Sequence, residues 1–575
     1  MDQRVDRGDA ALNWLARWET RFKDSGAALW IFPLLLLLAF FFVPMGSILS
    51  IMFSRTDPID LGQIWRPLGF TIWQAGLSTV LTLAAGLPAA YVFSRFTFPG
   101  KGFMRTFTML PFILPTVVTA AGFNALLGPR GWINLALMEI MGTSFPPIDF
   151  LNTFTAILVA HVFYNIAIVI RVVGSAWTQL DPRLEQSAQV LGASSSRTFR
   201  EITLPLLKRP ILVSALLVFL FDFTSFGVVL MLGGPNFSTI EVSIYTQALS
   251  LLNLRMAGLL TLLQLGCTIG ITVLFSKASS NQAVPLFPRL QGEGTHAPKT
   301  WVQKGAILCV VLFLFLLQVL PLGALAARSV TRLEADRGQR GESQTGLTLD
   351  FYRELFVNRQ QSYFYVPPVQ ALLNSLFYAG VTTIISTAAG TLLAYAFVRK
   401  PRVRHWLDPL VMLPFGASAV TLGLGFIVTF NRPPIEVGSF PFLIPIAHSL
   451  IAMPFVMRTV QPALGSIPDS LRQSAAVLGA SPRQVWWNVE LQIIRRALLA
   501  GAIFAFTISL GEFGATSFIS SPRNPTLPVA IYRYLSQPGA MNYGQAMAMA
   551  TILIIVCGIS IWLLEKLQGE KHANA

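Results

Sequence analysis

Long apolar runs separated by short polar connections set the pattern of this chain. Twelve stretches are apolar over about 20 residues or more, the length at which an α-helix crosses a bilayer. They are 28–53, 70–94, 107–127, 152–174, 208–232 and 256–277, then 304–327, 372–398, 407–430, 441–461, 494–519 and 543–566. The pattern predicts an all-α polytopic membrane protein with about twelve transmembrane helices. An even number of crossings puts both termini on one side. The first run is too long for a removable leader and no convincing cleavage site follows it, so it is expected to stay as a helix.

The polar connections are not independent of one another. Leu184-Glu-Gln-Ser-Ala-Gln-Val-Leu-Gly-Ala-Ser194 returns as Leu471-Arg-Gln-Ser-Ala-Ala-Val-Leu-Gly-Ala-Ser481, identical at nine of eleven positions and 287 residues apart from Gly192 to Gly479. The two mismatches are Glu185/Arg472 and Gln189/Ala476. Ala84-Ala85-Gly86 and Arg95 recur as Ala388-Ala389-Gly390 and Arg399, Met109-Leu-Pro-Phe112 as Met412-Leu-Pro-Phe415, and His161 and Arg171 as His448 and Arg458. Two six-helix repeats in the same order and orientation imply a pseudo-two-fold axis along the membrane normal. The expected division is an N-terminal segment 1–27, a first half 28–280 with its polar loop 183–205, a linker 281–303, a second half 304–567 with its polar loop 470–492, and a tail 568–575. Ala and Gly at the repeated positions of the second and eighth runs suit close helix packing in lipid.

Composition agrees with this reading. The 575 residues are 53% hydrophobic and 12% charged, whereas a soluble domain carries about a quarter charged residues. The formal charge of +15 would suggest nucleic acid in a soluble protein. Here it falls in short connections, as the positive-inside rule requires: Arg95, Lys101 and Arg105 in one repeat, Arg399, Lys400, Arg402 and Arg404 in the other. These loops and both termini are therefore expected in the cytoplasm, with no nucleic-acid partner. Cys267, Cys309 and Cys557 each lie inside an apolar run without metal-ligand spacing and read as small packing residues; no metal site is expected.

Within the repeated loop, Leu184, Ala188 and Leu191 fall at i, i+4 and i+7, on one face of a short helix, as do Leu471, Ala475 and Leu478. Gly192 and Gly479 end that helix or turn the chain sharply. A single copy would read as an amphipathic helix lying on the membrane. Two faithful copies read as knobs that enter a groove on another protein. The loops resemble the EAA loop of ATP-binding-cassette (ABC) importer permeases, in which Glu-Ala-Ala is followed by Gly and then Ile-x-Leu-Pro. Gln186 and Gln473 stand at the Glu position, and Ser187 and Ser474 follow. Ile202-Thr-Leu-Pro205 keeps the second element, and Val489-Glu-Leu-Gln492 departs from it. The resemblance covers essentially the whole chain as two fused permease halves. It implies the type I importer permease fold, and a coupling role for Leu184, Gln186, Ser187, Ala188, Leu191 and Gly192 and for Leu471, Gln473, Ser474, Ala475, Leu478 and Gly479.

Two acids interrupt apolar runs, Asp222 and Glu512, and such groups face a cavity or a partner. In the repeat register Asp222 aligns with Ser509 and Ser225 with Glu512, so the acids sit one helical turn apart on equivalent helices. They read either as lining a cation pathway or gate, or as hydrogen-bonding helices together. His161 and His448 lie mid-span at equivalent places, and a satisfied buried histidine is the more ordinary reading of each. Asp222, Ser225, Ser509, Glu512, His161 and His448 are thus the substrate-pathway candidates. No catalytic residue is expected. No Gly-x4-Gly-Lys-Ser/Thr phosphate loop occurs in the chain, so ATP hydrolysis falls to another subunit.

The resemblance implies the partners. Two copies of a cytoplasmic ABC ATPase would carry ATP and Mg, with no cofactor on this chain. An extracytoplasmic substrate-binding protein would deliver the solute, and the chain would lie in a bacterial plasma (inner) membrane. Gly233-Gly-Pro-Asn-Phe-Ser-Thr-Ile-Glu-Val-Ser-Ile-Tyr245 and Thr526-Leu-Pro528 resemble the thiamine permeases most, with ferric-iron permeases as the alternative. An ion-coupled secondary transporter built from parallel halves is the alternative of another class.

Overall fold

The computed structural model describes residues 30–54, 60, 62–279, 295–333, 346–357, 367–432, 435–436, 440–521 and 524–569. The expected N-terminal segment 1–27, the linker up to 294 and the tail past 569 lie outside the described residues.

All twelve expected spans are helical. Ten are single helices long and apolar enough to cross a membrane, among the described residues. The other two are bent pairs, Lys101–Ile113 with Thr116–Met141 at 110° and Arg404–Pro414 with Ala419–Phe430 at 86°. The first bend falls at Leu114-Pro115, where the residue before the proline is extended (ψ 141°), as the proline ring demands.

Besides the bent pairs, two spans whose main helix is among the ten break before their expected ends. Residues 208–232 divide into α1 (Leu204–Phe223) and α2 (Gly227–Leu232). Residues 494–519 divide into α3 (Leu491–Gly511) and α4 (Gly514–Ile519). The breaks hold only Thr224, Ser225 and Glu512 as polar residues between long apolar flanks, so hydropathy over a span did not register them. Local chemistry accounts for the first: Thr224 Oγ1 turns back to the Leu220 carbonyl at 3.0 Å, a competition with the backbone that disfavours helix propagation. At the second, Glu512 is extended (ψ 122°).

The repetition holds at the level of structure. Phe154–Thr178 recurs as Leu443–Gly465, and Pro182–Val190 as Asp469–Val477. The π-helical turn Phe199–Thr203 recurs as Trp486–Glu490 although the second copy lacks the Pro of the first. Close packing recurs too. A Cβ on Gly86 would lie 2.7 Å from Val169 Cβ, and one on Gly390 would lie 2.8 Å from Val456 Cβ. Only a glycine allows either helix pair this near.

Taken over its described residues, the chain forms two compact units that do not coincide with the repeats. One comprises Met1–Ser50, Gln370–Thr526 and Ile559–Ala575; the other comprises Ile51–Val369 and Leu527–Gly558. In the first unit the ring of Phe40 lies 6.3 Å from that of Phe426 and 5.7 Å from that of Phe430. In the second, Trp132 Nε1 donates to the Ala324 carbonyl at 3.1 Å and Gln318 Nε2 to the Phe163 carbonyl at 3.4 Å. The opening helix of each repeat thus packs with residues of the other repeat.

Candidate functional site

The repeated loop forms a short helix in each copy, α5 (Pro182–Val190) and α6 (Asp469–Val477). Asp181 caps α5 by accepting from Arg183 N at 2.9 Å, and Pro182 fits a first turn whose N–H groups have no partner. Both helices end alike. Gly192 has φ +89° and Gly479 φ +87°. Ala193 N donates to the Ala188 carbonyl and Ala480 N to the Ala475 carbonyl, each at 3.0 Å, which is a Schellman-type exit. A Cβ at either glycine would meet nothing within 4 Å, so the left-handed backbone alone requires glycine there.

The exit turn presents its apolar side chains outward. Leu191 is 88% exposed and Leu478 87%. Leu184, Gln186, Ser187 and Gly192 are not buried, and neither are Leu471, Gln473, Ser474 and Gly479. All eight are exposed, whereas Ala188 and Ala475 are half-buried. Val190 and Val477, which the periodicity did not single out, join the leucines on the exposed surface.

The six residues considered for the substrate pathway form two centres, one in each compact unit. In the first, His161 on Phe154–Thr178 is 2% exposed. Its Nε2 lies 2.8 Å from Ser225 Oγ, and its Nδ1 lies 3.1 Å from Ser78 Oγ and 3.6 Å from Asp222 Oδ1. Asp222 is fully buried and accepts from Asn165 Nδ2 at 2.7 Å. Its Oδ2 has no hydrogen-bond partner among the described residues. The Asp222 backbone carbonyl, freed by the break between α1 and α2, accepts from Gln74 Nε2 at 2.7 Å.

In the second centre the acid and the serine exchange places around an equivalent histidine. His448 Nδ1 lies 2.7 Å from Ser509 Oγ; its Nε2 lies 2.9 Å from Thr516 Oγ1 and 3.1 Å from Glu512 Oε2. Ser509 Oγ in turn donates to Thr382 Oγ1 at 3.2 Å. Glu512 also serves as the cap of α4. Its Oε1 accepts from Ala515 N at 2.8 Å, and its Oε2 accepts from Thr516 N at 3.0 Å and Thr516 Oγ1 at 2.7 Å. A carboxylate is favourable at a helix N-terminus, where N–H groups lack partners. The structure therefore joins acids and histidines that the sequence offered separately. It adds Gln74, Ser78, Asn165, Thr382 and Thr516, whose only signal was polarity within apolar runs.

Residues 82–320 and 386–570 match the protein family described as binding-protein-dependent transport system inner membrane component. The thiamine transport system permease protein ThiP of Escherichia coli is 29% identical over 526 residues, covering 88% of this chain and 90% of that protein. The ferric transport system permease protein FbpB of Actinobacillus pleuropneumoniae is 26% identical over 553 residues, covering 93% and 77%. A chain from a crystal structure of a bacterial alginate ABC transporter, in complex with alginate pentasaccharide-bound periplasmic protein, is 20% identical. It covers 43% of this chain and 90% of that chain, at a TM-score of 0.37.

Proposed function

The chain belongs to the binding-protein-dependent transport system inner membrane components, the multi-pass permeases of ABC importers, and from that premise we propose that its solute is thiamine. The family match sets aside the ion-coupled secondary transporter. The observation that supports thiamine is the likeness to the ThiP permeases across nearly the whole of both chains. Ferric iron is the second reading, favoured by the likeness to FbpB. Both solutes are cations.

In this reading a substrate-binding protein delivers the solute from outside. Two cytoplasmic ATPase copies, which bind ATP and Mg, receive α5 and α6. The matched exits at Gly192 and Gly479 and the outward leucines support that role, since an exposed apolar knob on a polar helix suits a groove on a partner. The termini and the loops carrying α5 and α6 face the cytoplasm. Asp222, Ser225, Ser509, Glu512, His161 and His448 belong to the pathway as holders of its broken helices. Their polar atoms are committed largely to one another and to adjacent backbone, and solute contact would require those bonds to open.

Uptake into vesicles containing the chain, its ATPase and its binding protein tests the solute. Labelled thiamine should accumulate in an ATP-dependent manner and resist competition by ferric iron; accumulation of iron without thiamine would transfer the assignment to the second reading. Gly192→Val combined with Gly479→Val tests coupling. A β-branched residue at positive φ is strongly disfavoured, so the protein should insert but lose uptake. Normal uptake with normal ATPase stimulation would remove α5 and α6 from the role.

A further inference from the structure

The loop repeat breaks at Glu185/Arg472, and the structure makes that mismatch one end of a partly buried ionic node. In the first repeat Glu185, on α5, accepts from Arg95 Nη2 at 2.6 Å and from Thr203 Oγ1 at 2.7 Å. In the second repeat the place of Thr203 is taken by Glu490, whose side chain is fully buried. Glu490 Oε1 accepts from Arg472 Nε, on α6, at 2.6 Å, and Arg399 Nη2 lies 3.6 Å from the same oxygen. Arg95 and Arg399 are equivalent too, each the last residue of a long membrane helix, Gly62–Arg95 and Pro368–Arg399.

The same three positions therefore meet in both repeats: the end of a long helix, the short repeated helix, and the π-helical turn that opens the next membrane helix. The charges differ. One carboxylate has moved from the short helix to the π-helical turn, and an arginine fills the place it left. Shared ancestry accounts for the shared positions. Each node keeps a close arginine–carboxylate contact while its donor and acceptor are redistributed.

We propose that Arg95 with Glu185, and Arg399 with Arg472 and Glu490, are positioning residues that make each coupling helix move as one body with the two membrane helices flanking it. This rests on α5 and α6 being the ATPase-coupling helices. A half-buried or buried ion pair resists separation because an unpaired charge left behind is costly. Force applied at the exposed leucines then reaches Arg95 and Arg399 without slack.

The test exchanges one solution for the other within the full transporter, ATPase and binding protein included. Glu185→Arg sets like charges together with Thr203 unable to neutralise them. The expected result is a fall of about tenfold in thiamine taken up per ATP hydrolysed, with ATPase still bound. Glu185→Arg with Thr203→Glu rebuilds the Arg472–Glu490 pair of the second repeat, though not Asp469, which accepts from Arg472 Nη1 at 2.7 Å and whose place Pro182 holds, and should restore that ratio to within about twofold of wild type. Stimulation of ATP hydrolysis by the binding protein reads the same coupling whatever the solute. A node that only stabilises the fold would change the amount of protein in the membrane and leave the ratio unmoved. Unchanged coupling in Glu185→Arg overturns the proposal, as does failure of the double variant to regain it. If Glu185→Arg does not reach the membrane, Glu185→Gln, which removes the charge without setting two arginines together, takes its place: a lowered uptake per ATP hydrolysed supports the node, and an unchanged ratio overturns it. Failure of the coupling reading itself is separable, because it shows as normal transport in the paired glycine variant.

Discussion

The two histidine centres are built on the same backbone and hold it by different means. Around His161 the acid is one turn earlier, on the last turn of α1, and it is secured by Asn165. Around His448 the acid is at the break itself and is secured by α4, accepting from two backbone N–H groups and one hydroxyl. The second half has Ala452 where the first has Asn165, so it has no amide to support an acid at position 509. A carboxylate three residues later finds support from the helix N-terminus instead. Duplicated sites thus keep a requirement, one acid and two hydroxyls on a buried imidazole, and exchange the residues that meet it.

Removing the acids should break the comparison most visibly. Glu512→Leu leaves two backbone N–H groups at the start of α4 and the Thr516 hydroxyl without their acceptor, and at about 1–3 kcal/mol for each stranded buried donor should cost about 3–5 kcal/mol. Asp222→Leu strands chiefly the Asn165 amide and should cost about 1–2 kcal/mol. Thermal unfolding of the detergent-solubilised protein ranks them, and a larger loss at Asp222 would reverse the account. Next come Gly86→Ala and Gly390→Ala, where the halves should not differ. Each overpacks a helix contact against a valine and should cost about 1–3 kcal/mol; a gap of more than about 1 kcal/mol between them would show that the repeats do not share this packing. Double-mutant cycles should then give about 1–2 kcal/mol of coupling for His448 with Glu512, at 3.1 Å, and under about 0.5 kcal/mol for His161 with Asp222, at 3.6 Å. The smallest effect is expected for Asp222→Asn, within about 0.5 kcal/mol and with wild-type uptake, because an amide oxygen still accepts from Asn165. Slow uptake by this variant in properly assembled transporter would mean that the charge itself serves the solute.

The spans were legible because an apolar run of bilayer length, repeated a dozen times in a chain this poor in charge, needs lipid to cover it. The repeats were legible because nine of eleven loop residues match. The alignment also placed Asp222 and Glu512 a turn apart. It did not join them to His161 and His448, which lie 61 and 64 residues from Asp222 and Glu512 in the chain, a distance at which only folding decides contact. The helix breaks at 224–226 and 512–513 were hidden because Thr224, Ser225 and Glu512 are too few to interrupt an apolar run of bilayer length. The informative signal was disagreement between the copies. Asn165 opposite Ala452, Gln74 opposite Tyr378 and Glu185 opposite Arg472 each mark a polar group whose partner differs between the halves.

The first unit draws its residues from both ends of translation. Phe40 leaves the ribosome 386 residues ahead of Phe426, a wait of roughly 20–80 s at ordinary elongation rates. For that time the helix Ile31–Phe53 has lipid in place of Phe426, Phe430 and the cleft at Gly425 that receives Pro44. Its mean hydropathy of 2.5 lets it sit in the bilayer alone without an unmet polar group. Carrying both repeats on one chain therefore sets a local supply of the late partner: the helix waits beside the very polypeptide that will complete its unit. Two separately made halves would have to find each other by diffusion in the membrane, and the yield of that unit would then depend on how much of each was made.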